Sequence, residues 1–217
     1  MRVCLFSLKF CFGLTLQLFF ASASFPLSAQ PLVRPVDITE IVQRSAAIVH
    51  GRVQEVVWEP HPNHPEISTL KITMEVVDGV CGVSGTHLTF RTFTFSRRNG
   101  GAGASQRGKG MPAAFGGHRF LAGQELVLFL YPESNLGLTS PVGGGQGTFR
   151  VSRDPSGRSF VLNIFGNQGL FEETPLSPKR LRERFGHELR QLRAEPGPLS
   201  LERFLELVRA MAAGEPR

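Results

Sequence analysis

From residue 47 to residue 165 apolar positions recur with a period near two, broken by Gly and Pro clusters, and beyond residue 177 the period changes to that of a helix. Ala47 to Trp58 is β-branched and partly alternating, which predicts a strand, and Gly51 inside it predicts a bulge or bend. The proline-broken stretch Glu59 to Glu66 reads as the following turn. Leu70, Ile72, Met74 and Val76 alternate with Lys71, Thr73 and Glu75, the pattern of a half-buried strand ended by Asp78-Gly79 and Gly82. Leu88 and Phe90 share one parity, whereas Phe93 and Phe95 take the other, so a bulge is expected near Arg91-Thr92. Glu125 to Tyr131 is a nearly continuous apolar strand. Thr148 to Ser152 and Ser159 to Phe165 form a hairpin around the turn Asp154-Pro155-Ser156-Gly157.

Helices bracket the strands. Asp37-Ile38-Thr39-Glu40 has the form of a capping box, and a short helix over about residues 38–46 follows from it. Ser177-Pro178 reads as an N-cap with proline at N1, ahead of Leu181, Phe185, Leu189 and Leu192 on one face. After Pro196-Gly197-Pro198, Ser200 opens a second helix with Leu201, Phe204, Leu205 and Val208 on one face. Two amphipathic helices need a surface to lie on, either the β domain or another protein.

Short strands in one run with no helical crossover predict a mainly β fold: a small antiparallel OB-like barrel with one N-terminal and two C-terminal helices, a β-sandwich being the alternative architecture. The expected organisation is a leader over residues 1–29, a β domain over 30–170 containing a Gly-rich loop at 97–118, and a helical appendage over 171–217. The leader rests on Arg2 and Lys9, an apolar run from Phe10 to Phe20, and small residues in Ala21-Ser22-Ala23 and Leu27-Ser28-Ala29. That order is the layout of a secretory signal peptide, with cleavage after Ala23 or Ala29, and it implies a secreted or periplasmic protein with no membrane span once the signal is removed.

Removing the leader changes the cysteine count more than the charge. Of 24 Lys+Arg, Arg2 and Lys9 leave, and the mature chain stays basic against 18 Asp+Glu. Cys4 and Cys11 leave too, so Cys81 stands alone and an internal disulfide is impossible. Cys81 reads either as a small buried residue or as the site of an intermolecular disulfide. Charge is also uneven along the chain. Between Gly79 and Gln124 there is no acid, and Arg91, Arg97, Arg98, Arg107, Lys109 and Arg119 fall in that span. Arg97, Arg98, Arg107 and Lys109 in the Gly-rich loop are the candidate contacts for a partner or a polyanion.

Chemistry-bearing patterns are few. Gly103 to Lys109 has phosphate-loop spacing, but Gly110 replaces the Ser/Thr that would hold magnesium, so no nucleotide is expected. Gly143-Gly144-Gly145-Gln146-Gly147 precedes a strand, which excludes a dinucleotide site and points to a turn or a close backbone approach. His61, His64 and Glu66 supply ligand types suited to zinc or copper, within a proline-rich turn. They are the candidates for a metal-dependent hydrolase. His50, His87 and His118 lack a nucleophile motif beside them.

Ala46 to Val53, Thr73 to Gly79 and Phe120 to Leu130 together resemble the netrin-like and tissue-inhibitor-of-metalloproteinase OB barrels, over roughly residues 45–165, and a set of secreted bacterial proteins with the same strand pattern. The resemblance implies a barrel and an inhibitory or binding role. The inhibitors chelate the protease zinc through an amino-terminal cysteine, and neither Ser24 nor Gln30, the two candidate mature termini, is cysteine. The expectation is therefore an exported, non-catalytic binding module without a cofactor, its partner another exported protein and a protease among the candidates. Binding of a polyanion or cell surface through the basic loop is the alternative.

Overall fold

A computed structural model describes residues 34–94, 118–172 and 179–213, with no side chain described from 179 to 181. The leader, the Ser177-Pro178 cap, and Arg97, Arg98, Arg107 and Lys109 lie outside the described residues.

The protein is mainly β. Its elements run α1 (Ile38–Arg44), β1 (Ala47–His61), β2 (His64–Cys81), β3 (His87–Phe93), β4 (Glu125–Leu130), β5 (Thr148–Arg153), β6 (Ser159–Leu162), α2 (Lys179–Ala194), β7 (Leu199–Ser200) and α3 (Leu201–Ala213). The strands form one antiparallel sheet in the order β3-β2-β1-β4-β5-β6-β7. The mainly β class is as expected, but the sheet is not closed and has β3 and β7 at its edges, where the pattern predicted an OB-like barrel or a β-sandwich. Two isolated bridges, Arg91 with Leu138 and Leu130 with Pro141, tie the segment 131–141 to β3 and β4 as a strap. Among the described residues no helix is long and apolar enough to cross a membrane.

The two faces of β4 explain its unbroken apolar run. Leu126, Leu128 and Leu130 pack with Val49, Leu70, Ile72 and Phe90 in a core that β1 to β4 wrap around, and Phe120 closes it. Val127 and Phe129 point the other way, into a larger core shared with Ile38 and Ile41 of α1, Phe185 and Leu189 of α2, and Phe204 and Val208 of α3. The surface that the C-terminal helices need is thus the sheet itself. Arg209 of α3 also pairs with Asp78 of β2, and Arg203 of α3 with Glu188 of α2 at 2.9 Å.

Local signals hold where side chain and backbone agree. Asp37 caps α1 by accepting from the Thr39 amide at 2.8 Å, while Glu40 pairs with Arg44 at 2.9 Å instead of completing a capping box. The β1–β2 register slips between His50 and Gly51, the bend expected there. At Asp154 the carboxylate accepts from the amides of Ser156 and Arg158, both at 2.9 Å, and builds the β5–β6 turn.

Three expectations are corrected. The stretch 59–66 is no loose turn: β1 continues through Pro60 to His61 and β2 starts at His64. Pro60 is tolerated because β4 covers β1 only as far as Arg52, so no second neighbour needs its missing N–H. No bulge occurs at Arg91-Thr92, since pairing runs unbroken from Thr69–Phe93 to Glu75–His87. There Thr92 takes the inward parity and Phe93 is half-exposed. Finally, β6 ends at Leu162, where asparagine side chains take over the backbone's hydrogen bonds.

Candidate functional site

The residues named for metal chemistry do not converge on an open ligand set. His61 is buried, and its Nε2–H donates to the Leu136 carbonyl at 2.7 Å while its Nδ1 accepts from the Asn63 amide at 3.2 Å. A carbonyl only accepts, so this pairing sets the tautomer and occupies both nitrogens. His61 thus pins the tip of the β1–β2 hairpin to the strap. The His64 ring lies tilted against it, centroids 5.2 Å apart, and sits 3.5 Å from Glu66. Among the described residues no three His, Cys, Asp or Glu side chains gather as a metal would need. Cys81 packs, half-buried, at the rim of the larger core.

Among the described residues the densest ionic cluster centres on Glu125 at the start of β4. His50 Nε2–H donates to it at 3.0 Å, Arg153 donates from β5 at 2.8 and 3.2 Å, and Arg52 lies 3.6 Å away. The carboxylate is only 10% exposed. Burial by itself would raise its pKa, but the hydrogen bonds from His50 and Arg153 outweigh burial and hold it below its ordinary value. A carboxylate that orients an imidazole is half of a catalytic constellation. The other half is missing among the described residues, where no hydroxyl or thiol hydrogen-bonds to His50. The cluster acts as a clasp between β1, β4 and β5.

His118 is a different kind of group. It is buried against the Phe120 ring at 4.7 Å, and its Nε2 has no partner among the described residues. Burial, with Arg150 nearby adding to it, lowers its pKa to about 4. Below pH 6.5 an unfolded chain takes up a proton that the folded His118 refuses, so stability is lost from 6.5 down towards 4. Glu125 adds its own loss below 4.5, where the unfolded carboxylate takes up a proton that the folded one resists. Urea midpoints measured between pH 7 and 4 are therefore expected to fall, and His118→Leu is expected to flatten the decline above pH 4.5. An unchanged slope in that variant would show that His118 does not titrate as described.

No family model, curated protein or solved structure matches this chain. Residue roles must then come from geometry, and the described surface offers one feature built to be presented. After β6, Asn163 and Asn167 lock the turn 163–170. Asn163 Oδ1 accepts from the amides of Phe165 at 3.0 Å and Asn167 at 2.9 Å, and Asn167 Oδ1 accepts from the Asn163 amide at 3.0 Å. Their amide nitrogens donate to the carbonyls of Gln146, Val161 and Gly197. Asn167 has φ +61°, the only positive φ of a non-glycine among the described residues. Strain of that kind persists only where the surroundings over-determine it. On this frame Ile164 and Phe165 stand adjacent at 57% and 38% exposure.

Nothing in the expectations pointed to this turn, because S-F-V-L-N-I-F was read as one strand. The signal was present: two asparagines four apart, with Gly166 and Gly169 beside them, are turn residues inside an apolar run.

Proposed function

We propose that this chain is an exported, non-catalytic binding module whose partner is another exported protein, engaged through the Ile164–Phe165 tip. The observation that carries this reading is the tip itself: two adjacent apolar side chains held out to solvent by a turn with six side-chain hydrogen bonds. A rigid apolar knob docks without paying ordering entropy on contact, which is how a few side chains come to dominate an interface. The secretory leader supports an exported partner, and a protease is the partner class that the resemblance to the inhibitors implies. The alternative, polyanion binding through Arg97, Arg98, Arg107 and Lys109, rests on the charge pattern alone.

The test is a pull-down from the host's exported proteome with the chain from Gln30 as bait, at low and high salt, beside two variants. One is Ile164→Ser with Phe165→Ser; the other neutralises the four basic residues. A stoichiometric protein retained at high salt and weakened at least tenfold by the tip variant is expected, as hot-spot residues give. Retention by the tip variant, or binding that disappears with salt and with the basic residues, overturns the reading in favour of the polyanion.

A further inference from the structure

The glycine-rich stretch Gly143 to Gly147 forms the floor on which the residues just ahead of α1 lie. Gly144–Gly147 is a single 3-10 turn leading into β5. Gln146 within it is 5% exposed, and its side-chain amide is used at both ends. Oε1 accepts from the Val36 amide at 2.7 Å, and Nε2 donates to the Arg34 carbonyl at 3.0 Å. Val36 lies over Gly143, where a Cβ would stand 3.3 Å from the Val36 Cγ2.

The same short segment touches the turn that carries Ile164 and Phe165. Pro35 packs on Gly169, where a Cβ would come within 2.5 Å of the Pro35 Cβ, so the proline fills the space of the missing side chain. One residue further on, the Leu170 carbonyl accepts from the Ile38 amide at 2.8 Å. Gln146 completes the connection. Its main-chain carbonyl accepts from Asn163 Nδ2 at 3.3 Å, and Asn163 Oδ1 in turn holds the amides of Phe165 and Asn167. An unbroken set of contacts therefore runs from Arg34 and Val36 through Gln146 and Asn163 to Phe165.

This chain of contacts makes the tip conditional on the segment. With residues 34–36 away, Gln146 would keep a buried donor and a buried acceptor unpaired, which is strongly unfavourable. Opening the 3-10 turn to water relieves that, and it carries the Gln146 carbonyl off Asn163. The Asn163 side chain then loses the bond that aims its Oδ1 at the tip. Asn167, at φ +61°, gives way next, because a strained backbone persists only while its surroundings hold it. The bonds from Asn167 Nδ2 to the Val161 and Gly197 carbonyls are untouched, so the turn loosens without leaving the sheet.

We infer that residues 34–36 are a latch for the Ile164–Phe165 tip: docked on Gln146 and Gly169 they keep it stiff and ready to bind, and undocked they leave it loose and weakly binding. The latch rests on the reading of the tip as the binding surface and adds the element that regulates it.

The experiment compares three chains: the one from Gln30, the same chain with Gln146→Leu, and one beginning at Asp37. Amide hydrogen exchange is followed at Phe165 and Asn167, with Ile72 of β2 as the reference for the sheet. Both altered chains are expected to exchange Phe165 and Asn167 about tenfold faster or more, in the lower part of the penalty for stranding buried hydrogen-bonding groups, with Ile72 unchanged. Affinity for the exported protein that the parent chain retains at high salt is expected to fall about tenfold in both, as lost pre-organisation gives. Unchanged exchange at Phe165 in either altered chain overturns the latch. Acceleration of Ile72 by the same factor overturns it too, because the segment would then be serving the whole fold. Faster exchange with undiminished affinity does the same, since order at the tip would not matter to binding. A parent chain that retains no exported protein overturns the reading of the tip, and the exchange at Phe165 then decides alone whether the segment holds it.

Discussion

Phe204→Ala is expected to lower the unfolding free energy by about 3–5 kcal/mol, the range for truncating a buried aromatic. Phe204 is 1% exposed on α3, with its ring 4.7 Å from Phe149 and 6.0 Å from Phe129. Those two rings belong to β5 and β4, so the residue joins the last helix to the centre of the sheet. A small domain has about 5–15 kcal/mol in total, and a loss of this size leaves it marginal. Denaturant unfolding should be followed by two probes at once, far-ultraviolet ellipticity for the helices and Trp58 fluorescence for β1. One transition by both probes, with a lower midpoint, is expected because α3 and the sheet share a core. Loss of the helical signal alone would mean that the helices unfold as a separate appendage. Ile164→Ser, which removes an exposed side chain, sets the scale of a surface change at within about 0.5 kcal/mol.

That dependence of the sheet on its helices was only half readable in the sequence. The faces were plain: Phe185 and Leu189, then Phe204 and Val208, recur at helical spacing, and all four are buried. What they face was not, since amphipathicity reports an apolar stripe and not its partner. The doubly buried β4 answers the question in retrospect. A strand whose Leu128 and Phe129 are both fully buried needs a layer on each side, and an antiparallel sheet with one wet face does not provide it. The strand boundaries failed for a similar reason. Propensity placed a turn over Glu59 to Glu66, but the pairing of β1 with β2 carries the ladder to His61 and leaves only Pro62-Asn63 between the strands. Tertiary pairing overrode local punctuation.

The candidate sites were less legible than the fold. Arg97, Arg98, Arg107 and Lys109 stood out because charge is visible in one dimension, whereas the Glu125 clasp gathers residues from three strands. His50, Glu125 and Arg153 lie 75 and 28 positions apart and meet only after β1, β4 and β5 pair. A bulge expected at Arg91-Thr92 would have turned Thr92 away from the core, whereas the unbroken register keeps it on the inward parity of Leu88 and Phe90.

Gly51→Ala is expected to destabilise the protein by about 3 kcal/mol, the upper part of the range for forcing extra volume into a packed site. A Cβ at this position would overlap the Glu75 carbonyl oxygen and come within 3.4 Å of the Met74 methyl. The methyl belongs to a flexible side chain and can give way; the carbonyl belongs to β2 and cannot move without its strand. Relief therefore requires β1 and β2 to separate at the bend between His50 and Gly51. His50 and Arg52 flank that bend, and both reach Glu125. Opening it pulls the imidazole from its carboxylate, so one added methyl acts on two things. Chemical denaturation is expected to show the lower midpoint, and the His50 Nε2 proton signal is expected to lose the downfield shift of a hydrogen bond to Glu125. Gly197→Ala is the comparison, because nothing lies within 4 Å of a Cβ there, and it is expected to leave both readouts unchanged. A Gly51→Ala variant as stable as the parent would mean that the bend takes a side chain freely. Curvature of β1 around the smaller core would then owe nothing to the missing Cβ.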